Sequence, residues 1–309
     1  MPGAAGCAAL PRNREEWTGE VAMVFTHAVH AKLHTKSEER FITLGGTDLP
    51  AHPCSILWPA FAAAGPWEKG QTITLTAHCL YVSGRPLLAL NTLPMFFPSR
   101  KQRPSADRED MIKALRASAE VADALEPRGG FHDLFLARKG QTDKKGLLAG
   151  AFAAFSTSMG KKISAALSEL QNSGDTSALE KAARALAGSG QGLTPAGDDF
   201  LGGLFSALRY HGKSIGKELV PAPFLQSLAA DLAGRSTDFS GFMLRCAAKG
   251  FIAAPLSLWL KAVHQGKPEE AASLLPEMAR IGASSGLDAF CALLLAMQIV
   301  LGEHPWLHP

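Results

Sequence analysis

The chain has 309 residues, of which 47% are hydrophobic, and its 31 basic and 28 acidic side chains give a formal net charge of +3. This length leaves room for two domains or one large one, with enough apolar residues for a sizeable core. The nearly balanced charges are spread along the chain, which argues against a nucleic acid or an anionic membrane as partner.

The cysteines and the chain start indicate a cytoplasmic protein. There are five cysteines, far apart and without a CxxC pair, which argues against a disulfide scaffold or a structural zinc site. The first residues lack the basic and apolar regions of a signal peptide. The longest apolar run, Phe290 to Leu301, is shorter than the roughly 20 residues that span a bilayer, so it predicts a buried helix.

The first hundred residues have the composition of strands separated by turns. The turn residues are Gly45-Gly46-Thr47-Asp48 and Ser83-Gly84-Arg85-Pro86, and the second turn predicts a hairpin. The predicted strands, rich in β-branched and aromatic residues, are Val21 to Leu33, Arg40 to Leu44, Thr72 to Tyr81 and Leu87 to Leu93. His27 and His30 fall in the first of these and His34 directly follows it, and their spacing favours a surface or core role over metal binding.

A polar stretch, Pro98 to Asp110, indicates a linker or exposed loop, and the apolar period becomes helical after it. We therefore predict an α+β protein with a β-rich N-terminal domain, residues 1–100, and a mainly helical domain, residues 101–309. The predicted helices are Met111 to Leu125, Leu147 to Gln171, Ala178 to Ala187, Asp199 to His211, Phe224 to Ala233, Thr237 to Lys249, Pro255 to Gln265, Pro268 to Ile281 and Gly286 to Gly302.

The strongest candidate site is the turn from Gly192 to Asp199. Glycines before a helix let the backbone turn sharply, and the first helical turn offers unpaired N–H donors, so Gly192 and Gly197 predict an anion site. Thr194 can donate its hydroxyl to the anion or cap the turn. Asp198 and Asp199 suit the helix dipole, a magnesium ion or a general base, and these alternatives stay open.

A second turn, Gly282 to Asp288, repeats the pattern of hydroxyls, glycine and aspartate. Ser284 and Ser285 precede Gly286, and Asp288 follows that glycine by two positions, as Asp199 follows Gly197. One such turn is explained by helix capping. Two of them predict paired helix starts that face one pocket.

A third helix start lies within Gly234 to Ser240. Arg235 is the nearest cation that could clamp a phosphate or carboxylate, and Ser236 and Thr237 supply hydroxyls. The alternative is an N-cap with an exposed arginine.

These three segments together resemble a known bacterial family. GLTPAGDDFLGG, STDFSGFMLRCAAKG and IGASSGLDAF, in this order and spacing, are similar to the AllH-like family, named for the third subunit of oxamate carbamoyltransferase from anaerobic allantoin breakdown. The similarity extends over roughly residues 140–300. The chain departs from the family pattern at Ala196, where serine is common, at Asp238, where a hydroxyl is common, and at Ser284, where threonine is common.

The resemblance implies a subunit of a carbamoyltransferase-type enzyme that converts oxamate and carbamoyl phosphate to oxalurate and phosphate, or that performs related acyl-phosphate chemistry on small acids. It implies partner subunits, one of them similar to succinyl-CoA synthetase, and a small anionic substrate. The alternative is a non-catalytic binding or assembly subunit. No cofactor is required, although magnesium is compatible with the aspartates.

The site residues expected from this resemblance lie on all three segments. The catalytic candidates are Asp198, Asp199 and Asp288, and Asp199 is favoured over Asp198 because Asp288 repeats its spacing from glycine. The expected substrate-binding residues are Gly192, Thr194, Gly197, Arg235, Ser236, Thr237, Ser284, Ser285 and Gly286.

Overall fold

The structure is a computed structural model that describes residues 4–6, 9–11, 15–35, 39–96, 106–126, 130–132, 147–215 and 218–303. The contacts divide the chain into two units, Met1–Pro98 and Ser99–Pro309. The first contains the sheet and the second the long helices, so the α+β prediction is confirmed.

The described residues of the first unit form a nine-stranded sheet in the order β8-β7-β6-β2-β3-β4-β5-β1-β9. Its neighbours are antiparallel except for β4 with β5 and β1 with β9. The strands are β1 (Ala4–Gly6), β2 (Glu16–Val24), β3 (Ala28–His34), β4 (Glu39–Gly45), β5 (Ser55–Leu57), β6 (Thr72–Thr76), β7 (Cys79–Val82), β8 (Arg85–Ala89) and β9 (Met95–Phe96).

Strand β3 has the alternation of a strand with one buried face. Val29, Ala31 and Leu33 are fully buried, whereas His30 and His34 point to the opposite face. His27 precedes the strand and pairs with Asp48 at 3.2 Å, so its predicted place within a strand is wrong.

Two segments that were each predicted as a single strand form hairpins of two strands. Neither hairpin turn contains the glycine or proline that would have marked it. The predicted strand from Val21 to Leu33 is β2 and β3, joined where Phe25 N–H donates to Ala28 O at 2.8 Å. The predicted strand from Thr72 to Tyr81 is β6 and β7. Here the Thr76 hydroxyl accepts the N–H groups of His78 and Cys79, so a side chain completes the turn.

The hairpin predicted at Ser83-Gly84 is confirmed and joins β7 to β8. Both residues have positive φ, 50° and 77°, which suits the right-handed twist of the flanking strands. Strand β8 ends at Ala89, before the predicted limit, because Leu90–Thr92 form a 3-10 turn.

The second unit is built from helices whose apolar stripes share one core. The helices are α1 (Arg108–Ala124), α2 (Leu147–Ser173), α3 (Ser177–Leu186), α4 (Ala196–Ile215), α5 (Ala222–Ala233), α6 (Asp238–Ala248), α7 (Ala254–His264), α8 (Pro268–Ser273), α9 (Leu275–Met278) and α10 (Ser285–Val300).

Helix α10 carries most of the long apolar run and is buried from Gly286 to Ile299, as predicted for that run. It packs closely on α4, since a Cβ atom at Gly203 would lie 2.1 Å from Ala289 O. Among the described residues, no helix is both long and apolar enough to cross a membrane.

Two predicted segments differ from the structure. The helix predicted from Pro268 to Ile281 is interrupted between α8 and α9 because Pro276 has no N–H to continue the helical ladder. The predicted polar linker lies partly outside the described residues. Its last residues, from Arg108 onward, belong to α1, whose N-cap Asp107 accepts the Asp110 N–H at 2.9 Å.

Candidate functional site

The start of α4 is preceded by a glycine loop with left-handed backbone. Gly188, Gly190 and Gly192 have φ values of 75°, 112° and 97°, a region that L side chains rarely adopt. A Cβ atom at Gly188 would also lie 2.4 Å from Arg235 O, so this loop lies directly against the segment before α6. Gly190 and Gly192 are exposed and present their backbone to solvent.

Asp198 connects this loop to α6. Its Oδ1 accepts the Gly188 N–H at 2.8 Å, and its Oδ2 accepts the hydroxyls of Ser236 and Ser240, the latter at 2.7 Å. The residue is 3% exposed. Both carboxylate oxygens therefore serve bonds that hold three segments together, and Asp198 has the environment of a structural residue.

Asp199 lies on the other side of the same turn, toward α10. Its Oδ2 is buried and has no hydrogen-bond partner among the described residues. Burial is the largest cause that raises the pKa of Asp199 well above its ordinary 3.8, and the charges of Asp288 and Asp198 add to it. Hydrogen bonds from Ser285 and Thr194 lower the pKa but are outweighed. The environment of Asp199 thus favours the protonated form of its carboxyl.

The starts of α4 and α10 meet through their hydroxyl groups. Thr194 Oγ1 and Ser285 Oγ are 3.0 Å apart. A Cβ atom at Gly286 would lie 2.0 Å from Met278 O, which explains the glycine by close packing. Asp288 is fully buried, and its Oδ1 accepts the Phe131 N–H. The structure therefore brings the first and second predicted turns together.

The third predicted segment joins them through its hydroxyls. Thr237 Oγ1 donates to Leu193 O at 2.6 Å and also caps α6 by accepting the Ser240 N–H at 3.1 Å. Arg235 is exposed, so this helix start matches the stated alternative of an N-cap with an exposed arginine, and a role for Arg235 in binding stays a prediction. Ser284 is partly buried and lies at the N-cap of α10, where its carbonyl accepts backbone N–H groups.

Six backbone N–H groups at the starts of α4 and α10 are already used within the protein. Each of six backbone N–H groups at the two helix starts donates to a carbonyl at 2.9–3.1 Å. These donors belong to Gly197, Asp198, Asp199, Gly286, Leu287 and Asp288. The expectation of unpaired donors at these six positions is therefore corrected, whereas Gly190 and Gly192 are exposed.

The described carboxylates do not form a preassembled cluster for a magnesium ion. Within the part of the chain that the structure describes, no group of three or more His, Cys, Asp or Glu side chains is arranged to hold a metal. Both oxygens of Asp198 accept protein hydrogen bonds, and Asp288 Oδ1 accepts a backbone N–H.

Sequence reasoning missed several residues at this site. Ser240 holds Asp198, and Ser189 has a buried hydroxyl without a hydrogen-bond partner among the described residues. Gly130 and Phe131 contact Asp288 from a distant part of the chain. Ser189 lies within the glycine loop and could have been noticed there, whereas no local pattern connects residues 130 and 288.

Comparison with known proteins supports the motif-based resemblance. The model of the family described as oxamate carbamoyltransferase subunit AllH matches residues 186–297, which confirms the AllH-like resemblance over this segment. The matched segment is narrower than the predicted one and covers all twelve predicted site residues, from Gly192 to Asp288. No solved structure matches the chain.

Proposed function

We propose that this chain is a subunit of a carbamoyltransferase-type enzyme and that it binds a small carboxylic acid at the joined starts of α4, α6 and α10. The matched family is named for a subunit of oxamate carbamoyltransferase, which supports partner subunits in the same enzyme. The reaction we favour interconverts oxamate and carbamoyl phosphate with oxalurate and phosphate. The partner that we expect to complete the enzyme is a subunit similar to succinyl-CoA synthetase.

The observation that carries this proposal is the environment of Asp199. A buried carboxyl with one oxygen unpartnered among the described residues is costly unless something else uses it. Strongly raised pKa values of this kind are frequent at functional sites. Asp199 lies beside the Thr194–Ser285 hydroxyl pair, which supplies further hydrogen-bonding groups to a polar ligand.

Asp199 in its protonated form suits one step of this chemistry. When phosphate attacks the carbamoyl carbon of oxalurate, the bond from that carbon to the oxamate nitrogen breaks and phosphate takes its place. The departing nitrogen then needs a proton, which a neutral carboxyl can supply. In the reverse direction the ionised carboxylate accepts this proton from the oxamate amide as its nitrogen attacks carbamoyl phosphate.

The anionic end of the substrate requires donors or a cation. Gly188 lies against the backbone of Arg235, and the exposed backbone at Gly190–Gly192 follows it in the same loop. Arg235 adds a guanidinium that is able to bind carboxylate or phosphate in a bidentate manner. Thr194 lies in the same loop before α4, and Ser284 and Ser285 lie at the start of α10. We assign substrate binding to these groups.

An assembly role is the second candidate. The observation that favours it is that six N–H groups at two helix starts and both oxygens of Asp198 already make bonds within the protein, which hold three helix starts together without a ligand. In that case the site would stabilise a surface for the partner subunits, and Asp199 would have no part in substrate binding.

Titration calorimetry on the full chain separates the two roles. We expect heat with oxamate or oxalurate for the wild type and for Asp175→Asn, an exposed matched control that keeps its hydrogen-bond acceptor. We expect at least tenfold weaker binding for Asp199→Asn, about 1.4 kcal/mol or more. In the complex with the partner subunits, carbamoyl transfer should fall in parallel.

The assembly role predicts a different set of results. No heat with either acid in the wild type, together with full transfer activity in a complex that contains Asp199→Asn, would contradict the substrate-binding proposal.

A further inference from the structure

A carboxyl oxygen is left without a donor among the described residues where the starts of α4 and α10 meet. This atom, Asp199 Oδ2, is buried and has no hydrogen-bond partner in the described part of the chain. By contrast, both oxygens of Asp198 accept hydrogen bonds. A buried carboxylate oxygen without a donor is costly, so the ligand that fits this position is one that brings its own N–H or O–H group.

The two hydroxyls beside Asp199 are already engaged as donors. Thr194 Oγ1 and Ser285 Oγ are 3.0 Å apart, and both hydroxyls also form hydrogen bonds with the Asp199 carboxyl. Each hydroxyl has a single proton, so one proton lies between the two oxygens and the other is directed to Asp199. The free capacity of this hydroxyl pair is therefore in its oxygen lone pairs, which accept hydrogen bonds.

The acidic surroundings favour an uncharged donor group over a carboxylate. Asp198, the neighbour of Asp199 in the chain, accepts three hydrogen bonds through its two oxygens, so it directs no proton to a ligand. A ligand carboxylate at Asp199 would place two carboxyl groups side by side, and these repel each other when both are ionised. A primary amide is uncharged and has two N–H donors, which match the acceptors at this position.

Gly282 marks the side from which a ligand can reach this position. The residue is exposed, and a Cβ atom added to it would lie 2.9 Å from Ser285 Oγ. The absence of a side chain thus leaves space beside that hydroxyl at the protein surface. Ser285 is partly buried, and its hydroxyl is bonded to the Asp199 carboxyl, whose Oδ2 is buried. A ligand that approaches beside Gly282 therefore meets the hydroxyl first and the carboxyl second.

We propose that the substrate enters beside Gly282 with its amide end first and donates an amide N–H to Asp199 Oδ2. The second amide N–H is donated to an oxygen of the Thr194–Ser285 pair, and the substrate carboxylate stays on the exposed side. The site then selects a primary amide over a carboxylate of the same shape. This inference rests on the proposed function, because it names the end of the small acid that the site recognises.

Oxamate and oxalate provide the direct test, since they differ only in the replacement of the amide NH₂ by a carboxylate oxygen. Titration calorimetry on the full chain is performed at alkaline pH, where the ionised form of Asp199 is most populated. We expect oxamate to bind at least roughly tenfold more tightly than oxalate to the wild type and to Asp175→Asn. In Asp199→Asn the side-chain amide can donate to oxalate, so this preference should disappear or reverse.

A pair of glycine variants tests the entry side without a change at Asp199. Gly282 and Gly174 are both exposed and have left-handed φ values of 62° and 76°, but a Cβ atom at Gly174 has nothing within 4 Å. Alanine therefore introduces similar backbone strain at both positions and crowds the Ser285 hydroxyl only at position 282. We expect Gly282→Ala to weaken oxamate binding by roughly fivefold or more and Gly174→Ala to leave it unchanged.

The possible failures of this inference and of the proposed function are distinguishable. Equal affinity of the wild type for oxamate and oxalate would overturn the inference and leave the proposed substrate binding in place. The same holds for an unchanged preference in Asp199→Asn, or for equal oxamate binding by the two glycine variants, once thermal unfolding has verified that each variant is folded. Binding of neither acid to the wild type would contradict the proposed function, and this inference with it.

Discussion

The two sides of helix α4 differ in how completely their polar groups are used. On the side toward α6, Asp198 accepts three hydrogen bonds. One turn later, a Cβ atom added to Gly202 would make only an ordinary van der Waals contact, 3.9 Å from Ala247 Cβ. On the side toward α10, Asp199 leaves an oxygen unpartnered among the described residues, and one turn later Gly203 permits direct backbone contact with Ala289.

The difference teaches how adjacent, chemically identical side chains come to serve different purposes. Satisfied polar groups with relaxed packing are typical of structural support. A carboxyl whose pKa is raised by burial, next to a tight helix contact, is typical of a functional site. The predictions that follow separate the two sides.

The largest effect is expected from Asp198→Ala. This change leaves the Gly188 N–H and the hydroxyls of Ser236 and Ser240 without their acceptor. We expect the free energy of unfolding to fall by about 3 kcal/mol or more, because each buried donor loses about 1–3 kcal/mol. Chemical denaturation measures it, and a loss no larger than that of Asp199→Ala would remove the contrast between the two sides.

The neighbouring glycines give a matched pair of intermediate size. Gly203→Ala places Cβ 2.1 Å from Ala289 O and must separate α4 from α10, so we expect a loss of about 1–3 kcal/mol. Gly202→Ala meets only ordinary contact and should gain up to about 1 kcal/mol from helix propensity. Thermal unfolding of both variants checks the difference, and equal effects would show that the two sides are packed alike.

A smaller effect, spread over pH, comes from a buried histidine pair that includes the later part of α4. His211 Nδ1 and His264 Nε2 are 3.2 Å apart. Burial lowers the pKa of His211 to about 4 and, together with the His211 charge, that of His264 to about 3. Between these values and 6.5 the unfolded chain binds more protons, so stability is lost as pH falls below 6.5.

The slope is at most about 1.4 kcal/mol per pH unit for each histidine. His264→Phe should lower the slope by its own share, up to about 1.4 kcal/mol per pH unit, which urea unfolding from roughly pH 4.5 to 7 can measure. A slope that does not change in the variant would contradict the assignment. The histidines make stability fall as pH falls, whereas Asp199 makes stability fall as pH rises. The contribution of Asp199 therefore has to be measured as the difference between the wild type and a variant of Asp199.

The sequence predicts the class of fold well and the strand limits less well. Helical periodicity and the apolar run in α10 are local signals, and both are confirmed. The hairpin turns after Val24 and Thr76 were missed because hydrogen bonds from backbone and a threonine hydroxyl close them, where glycine or proline would have been recognised. The break at Pro276 follows from a visible proline and could have been predicted.

The candidate site shows the same limit at longer range. The glycine, hydroxyl and aspartate pattern identifies the three helix starts, and the structure joins them through Thr194, Ser285 and Thr237. The pattern could not separate Asp198 from Asp199 by environment, since that depends on Ser236 and Ser240 from α6. Nor could it find Phe131, because its contact with Asp288 spans 157 positions of the chain.

The central claim, that the partly buried Asp199 carboxyl has a raised pKa that favours its protonated form, is tested most directly by the pH dependence of Asp199→Asn. A group with a raised pKa in the folded state costs stability progressively as pH rises above its unfolded value of 3.8. We therefore predict that the variant's free energy of unfolding, minus that of the wild type, increases as pH rises above 3.8 and then levels off. A difference in free energy of unfolding that stays constant from roughly pH 4 to 8 would contradict the claim.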